Sequence, residues 1–296
     1  MAASGWTEKP KTVSVRRSRR SVSPAETLWA VTSREDAALL APYTALVVPV
    51  PDPGRRLACL VDEWEGRSQI RVVERLAVAD PWRLVTEDLS TGVTTTAVVT
   101  QARSGSRIQL EMSCEAPRAA ARARLYSFEA EVAAWLEQVT RVAEGFAEPP
   151  GPRLEAVRAA GRLGPDTASI RGRRALRATR QEIWQLLTSS AAHPPETHRF
   201  WSGAGPVAVG HWLCTITEAA GRPAELQEVV ECVEGELLTL TTVAGGHHRA
   251  HTAWTLEDGA GGTLVRLDHE CATSHVGVPP VVELALDRVA GLLGDR

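Results

Sequence analysis

All eight histidines lie in the second half of the chain, at His193, His198, His211, His247, His248, His251, His269 and His275. Imidazole is the side chain best suited to move protons near neutral pH, so any acid–base chemistry is expected there. Alternate residues of a strand share a face. That rule groups Val265, Leu267, His269 and Cys271 against Arg266, Asp268 and Glu270, and turns His269 inward. In the strand before it, the inward set is His248, Ala250, Thr252, Trp254 and Leu256. Two further strands carry carboxylates in apolar surroundings: Glu74 among Ile70, Val72, Leu76 and Val78, and Glu231 among Gln227, Val229 and Val233. A buried carboxylate must be paired, protonated or wet, and a water-holding cavity meets that need. The expected centre is therefore His269 as acid or base with Glu231 orienting or relaying. Trp212 and Trp254 would wall it, with His248, Thr252 and Glu218 alongside. Glu74 and Met112 hold the corresponding places in the first half. The plain alternatives are a core histidine and carboxylates paired to a neighbouring arginine. In "HHRAH", His247 and His251 stand four residues apart, about 13 Å along a strand. That is too far to share one ion, so neither a metal nor another cofactor is expected.

The elements that must position these residues are written twice. "ACLVDEWEGR" at 58–67 recurs as "LCTITEAAGR" at 213–222, pairing Cys59 with Cys214, Glu63 with Glu218, Gly66 with Gly221 and Arg67 with Arg222. "VVE" at 72–74 recurs at 229–231, and "GSRIQLEMSC" at 105–114 matches "GTLVRLDHEC" at 262–271. The common order and near-constant offset imply duplication. The expected layout is a loose tail over 1–12, one domain over 13–147, a Pro/Gly-rich linker over 148–167 and a second domain over 168–296. Each copy reads as a strand, a helix, several alternating strands and a long closing helix. Capping boxes are predicted at Ser23 with Glu26 and at Thr179 with Glu182. The first closing helix carries the stripe Leu125, Phe128, Val132, Trp135, Val139 and Val142, and the second Val282, Leu286, Val289 and Leu293. The segment 193–210 reads as a connector or pocket rim.

This order of elements, carried by "VVECVEGELLTLTT" (229–242) and "WTLEDGAGGTLVRLDHE" (254–270), resembles the START-like (SRPBCC, helix-grip) superfamily. The second copy is similar to its chaperone ATPase-activator branch, and the tandem layout resembles didomain polyketide aromatase/cyclases. The resemblance implies an α+β fold: two helix-grip domains, each a curved antiparallel sheet wrapped around its closing helix. It also implies a cavity for a bulky hydrophobic metabolite, free or tethered to a carrier protein. No catalytic residue is carried over, because the Trp- and Arg-rich strand motifs of those cyclases are not found here. Three functions follow as expectations: a cyclase/dehydratase with acid–base work in the second domain, a non-catalytic carrier or sensor of a hydrophobic ligand or lipid, and a co-chaperone-like interaction module. The two domains would be able to pack as an intramolecular pseudo-dimer.

Composition narrows the field. The 296 residues carry a formal net charge of −3, which gives nucleic acid no basic footprint. There is no apolar run of membrane-spanning length and no apolar leader. Five cysteines without a C-x-x-C pair argue against a zinc knuckle or a dense disulfide framework, and fit a cytoplasmic setting.

Overall fold

In the computed structural model the described residues are 9–51, 54–64, 67–79, 81–189, 197–203, 205–217, 225–245, 249–272 and 281–294. The chain divides into two compact units, 1–62 with 71–153, and 63–70 with 154–296.

The first unit begins with β1 (Lys11–Ser21), α1 (Ala25–Thr32) and a 3-10 turn (Ala37–Leu40). Six strands follow: β2 (Thr44–Pro51), β3 (Arg56–Trp64), β4 (Arg67–Ala79), β5 (Trp82–Asp88), β6 (Thr94–Gln101) and β7 (Ser106–Ala116). The helix α2 (Arg118–Ala143) closes the unit. After α3 (Leu154–Gly161), the second unit runs β8 (Thr167–Leu176), α4 (Arg180–Thr188), β9 (Thr197–Trp201), β10 (Trp212–Thr217) and β11 (Glu225–Val233). It ends with β12 (Leu237–Gly245), β13 (Ala250–Gly259), β14 (Gly262–Ala272) and α5 (Val281–Leu292). The two sheets have seven strands each and the same antiparallel order, β1-β7-β6-β5-β4-β3-β2 and β8-β14-β13-β12-β11-β10-β9. The α+β class anticipated from the sequence is therefore the observed one. β9 lies inside the segment read as a connector.

The closing helices pack on the paired first and last strands, α2 on β1 and β7, and α5 on β8 and β14. Phe128, Val132, Leu136 and Val139 are the buried stripe of α2, while Leu125 is exposed. In α5 the stripe is Val282, Leu286 and Val289. A Cβ at Gly172 of β8 would sit 2.4 Å from Val282 Cγ1, so glycine lets α5 approach this closely. Arg17 pairs with Glu129 across β1 and α2, and Arg174 with Asp287 across β8 and α5.

The matched glycines have a steric cause. A Cβ on Gly105 would meet the Ser21 carbonyl oxygen at 2.1 Å, and one on Gly262 the Leu176 carbonyl oxygen at 2.0 Å. The next residue in each copy is a buried hydroxyl that donates to the chain end it crosses: Ser106 Oγ to Ser23 O and Thr263 Oγ1 to Ala178 O, both at 2.8 Å.

The capping boxes differ between copies. Thr179 and Glu182 form the reciprocal pair, with Thr179 N donating to Glu182 Oε2 at 2.7 Å and Glu182 N to Thr179 Oγ1 at 3.2 Å. Ser23 forms none, because Pro24 occupies the cap position and the Ser23 hydroxyl donates instead to Ala143 O at 2.7 Å.

Candidate functional site

The inner face of the first sheet is set by pairing. Arg71, Val73, Arg75 and Ala77 of β4 face the same side as Leu84, Thr86 and Asp88 of β5, with Val73 opposite Asp88 and Arg75 opposite Thr86. Ala97 of β6 stands opposite Leu110 of β7, and Thr95 opposite Met112. Together with α2 and the 3-10 turn these strands enclose a cavity of about 110 Å³. Its walls are mostly apolar: Leu60, Val73, Leu84, Leu110, Met112 and Trp135, with Ala37, Ala38 and Ala41 at the turn, and with the hydroxyls of Thr86 and Thr95 among them. One end is polar, lined by Tyr43, Thr44, Arg71, Asp88 and Glu131.

Each polar group in that end is held by a partner. Asp62 accepts from Arg71 Nε at 2.5 Å and from Arg71 Nη2 at 3.1 Å, a two-pronged grip that fixes the guanidinium plane. Thr44 Oγ1 donates to Asp62 Oδ1 at 2.8 Å. Asp88 Oδ2 lies 3.8 Å from Arg71 Nη1. The other Asp88 oxygen accepts from Ser90 N, Ser90 Oγ and Thr91 N, which locks the carboxylate into the β5–β6 turn. On the facing helix, Glu131 accepts from Tyr43 Oη at 2.7 Å and from Ser127 Oγ at 2.6 Å.

The electrostatics follow from this enclosure. Burial, followed by the charge and hydrogen bond of Glu131, pushes Tyr43 far above the ordinary phenol range, so its hydroxyl stays protonated. Burial works against the Arg71 cation, but the Asp62 hydrogen bond and charge, with Tyr43 and Asp88, outweigh it and hold the guanidinium above its usual value. The site therefore presents a fixed cation at the polar end of the cavity, beside a neutral phenol whose proton is given to Glu131. Beside it, Arg75 donates to the carbonyls of Glu35 and Arg34, both at 2.6 Å, and anchors the approach to the 3-10 turn.

The residues singled out in the sequence are dispersed. Met112 lines this cavity. Glu74 does not, because the inner face of β4 is the alternate one. Glu74 lies on the outer face with exposed Leu76 and is paired to Arg55 at 2.6 Å. In the second unit His269 and Thr252 are half-buried on the inner face, with His269 Nδ1 2.9 Å from Thr252 Oγ1. Trp254 is half-buried against the same core as Leu240, Val265 and Leu267. Glu231 is not their partner. A register shift between Val229 and Glu231 inserts a bulge in β11, so Val229 points into the core while Glu231 is exposed and accepts from Thr239 Oγ1 at 3.2 Å. Trp212 is buried on the outer face, since its neighbour Leu213 belongs to the inner core. On that outer face its cross-strand partner Glu228 is gripped by Arg158 of α3. His248 and Glu218 lie outside the described residues, as do His193, His247 and His275.

The second unit has its own polar group near β9, where Thr242 Oγ1 donates to Glu225 Oε1 at 2.8 Å. Burial pushes the nearby Arg199 guanidinium down to about 10, with Glu225 opposing and Arg288 adding to the shift. Among the described residues no cluster of three His, Cys, Asp or Glu side chains can hold a metal ion, and no helix is long and apolar enough to cross a membrane.

The residues missed in the sequence are Tyr43, Asp62, Arg71, Asp88 and Glu131. The available signal was Arg71 within the apolar run "QIRVVERLAV" (69–78), read there as pointing away from the cavity.

No family model matches the chain, and no curated protein matches it. Solved structures do. The di-domain ARO/CYC BexL from the BE-7585A biosynthetic pathway aligns over 95% of this chain and 93% of its own, at 12% identity and a TM-score of 0.39. The di-domain ARO/CYC StfQ from the steffimycin pathway aligns over 91% and 88%, at 11% identity and a TM-score of 0.37. The Zhui aromatase/cyclase from Streptomyces sp. R1128 aligns over 48% of this chain and 99% of its own, at 15% identity and a TM-score of 0.39.

Proposed function

We propose that the chain is a cyclase/dehydratase-type enzyme for a bulky, carbonyl-bearing apolar metabolite of polyketide kind, and that its acid–base site is the cavity of the first unit. The observation that carries this reading is the anchored Arg71 guanidinium beside the neutral Tyr43 phenol at the polar end of a largely apolar cavity. A ketone oxygen placed there gains negative charge as the neighbouring carbon is deprotonated, and a fixed cation stabilises that charge without having to reorganise. Glu131, which lines the cavity, is the group placed to take that proton, and Tyr43, which stays protonated, positions it. Apolar walls would hold part of a flexible chain in a shape fit for ring closure. No catalytic role is assigned to the second unit.

The test is turnover of a soluble poly-β-ketone thioester by Arg71→Met and Tyr43→Phe, with ligand affinity followed in parallel. Each variant should lose roughly 100-fold or more in rate. Cyclisation at the wild-type rate in both variants would remove the site from the chemistry.

A second reading, a non-catalytic carrier, is favoured by one observation. Arg71 and Tyr43 are already satisfied by Asp62 and Glu131, so both are held in place without a ligand. Native mass spectrometry separates the readings: a bound metabolite returned unchanged after long incubation favours the carrier.

A further inference from the structure

The outer face of the first sheet differs from that of the second. In the second unit, outer-face charges are paired within the sheet, Arg171 with Asp268 at 3.1 Å and Arg266 with Glu257 at 2.9 Å. In the first unit the outer face carries an exposed apolar centre. Leu76 is 61% exposed and Val78 38%, beside the half-buried Val85 of β5 and Val98 of β6. Around that centre stand the exposed residues Arg83, Glu87 and Arg107. Their side chains make no hydrogen bond or ion pair among the described residues. Glu115 has a hydroxyl partner, Thr12, and no cation.

These charges are antisymmetric about one row of the sheet. Strand pairing sets Leu76, Val85, Thr96, Glu111 and Arg16 side by side across β4, β5, β6, β7 and β1. On β5, Arg83 and Glu87 lie on opposite sides of that row, about 7 Å from it at the standard rise. On β7, Arg107 and Glu115 lie on opposite sides, about 14 Å from it. Arg107 is on the same side as Arg83. Both strands are thus positive toward one edge of the face and negative toward the other.

Such a face is complementary to itself. A two-fold axis along the row, in the plane of contact, brings a second copy face to face with its strands reversed. Arg83 then meets the partner's Glu87, and Arg107 meets the partner's Glu115, each pair occurring twice. Residues on the row meet their own counterparts, so Leu76 and Val85 form an apolar centre. A lone charge on the row would repel itself. The charges there are Arg16 and Glu111, and they neutralise each other within the sheet, with Arg16 Nε donating to Glu111 Oε2 at 2.8 Å. Glu74, which comes opposite the partner's Val78, is likewise held by Arg55.

We infer that the outer face of the first sheet is a homodimer interface, in which two copies stack about the Leu76–Val85 row and exchange Arg83–Glu87 and Arg107–Glu115 pairs. Five strands span about 19 Å, and the paired length is about 27 Å, which gives roughly 500 Å² a copy. That is the low end for a specific interface, so the association is expected to be reversible.

Sedimentation velocity of the full chain over a concentration series tests it. The wild type should pass from one chain to two as concentration rises, and 0.5 M salt should move that change to higher concentration. Arg83→Glu and Glu87→Arg each turn two attractions into two repulsions, so either alone should raise the dissociation constant roughly tenfold or more. Mixed in equal amounts, the two variants should associate with each other as the wild type does, because each supplies the charge the other lacks. Leu76→Lys, which sets like charges against each other on the axis, should abolish association. All three side chains are exposed or unpaired, so circular dichroism should match the wild type throughout. A wild type that stays single at every concentration overturns the inference and leaves the face to an unlike partner. A dimer indifferent to all three substitutions, or charge variants whose mixture stays single, overturns it too.

Discussion

Asp62→Ala is the sharpest probe of how the first unit is held together. The Asp62 side chain is 14% exposed and its partner Arg71 22%. Removing Asp62 strands a guanidinium in a site already hostile to charge and takes the acceptor from Thr44 Oγ1. Breaking a buried pair costs about 3–5 kcal/mol, and losing a neutral hydrogen bond about 1 kcal/mol. Two features lower the sum here. Water reaches about a fifth of the arginine, and Asp88 stays within 3.8 Å as a substitute partner. The expected loss is therefore about 2–3 kcal/mol. Asp36→Ala is the internal control, because its pair with Arg34 is 41% and 45% exposed and pairs of that kind are worth about 0–1 kcal/mol. Urea unfolding measures both, and the midpoint should move at constant slope if the native state alone is affected. The double variant Asp62→Leu with Arg71→Met should be more stable than Asp62→Ala, since it removes the buried charge together with its partner. The reasoning is refuted if Asp62→Ala costs no more than Asp36→Ala, or if the double variant is the least stable of the three.

Other outcomes follow from features shared or divided between the copies. Gly105→Ala and Gly262→Ala each drive a methyl into a carbonyl oxygen at about 2 Å, and at Gly105 a φ of 82° adds backbone strain. Both should destabilise by more than about 2 kcal/mol in a denaturant titration, and a neutral effect at either would mean the crossing is looser than drawn. At the α4 cap, backbone and then side-chain hydrogen bonds from Thr179 hold Glu182 below the usual carboxylate range. A folded value below the unfolded one stabilises at neutral pH, and that contribution is lost as pH falls through the folded value. Glu182→Gln should flatten this acid limb in melts recorded from pH 6 down to pH 3, and Thr179→Ala, which keeps the backbone N–H, should flatten it only in part. An unchanged limb would place the pH dependence elsewhere.

The fold was legible where local chemistry has one solution. The 3.6-residue stripes of α2 and α5 and the matched glycines where β7 and β14 begin are steric requirements, so they are written plainly in both copies. The site was not. β3 is buried on both faces, with Leu57, Cys59 and Val61 as deeply covered as Ala58 and Leu60. A strand apolar on both sides gives alternation nothing to select. The polar end is also assembled from far apart in the chain: Tyr43 meets Glu131 across 88 positions, and no spacing rule joins them. The histidine asymmetry drew attention to the second half, where a bulge invisible to a period-two reading separates Glu231 from His269.

That bulge also bears on how duplicated domains diverge. "VVE" is identical at 72–74 and 229–231. Yet Val72 turns away from its sheet's interior, while Val229, its counterpart in the alignment, turns into the core. Only the glutamates end on the same side. A single-residue slip in strand pairing has thus exchanged which side chains wall the interior, with no substitution in the shared letters. Two copies able to re-aim a strand in this way can evolve different interiors faster than their sequences drift apart. Transferring a site residue from one copy to the other by alignment alone would then fail first at this strand.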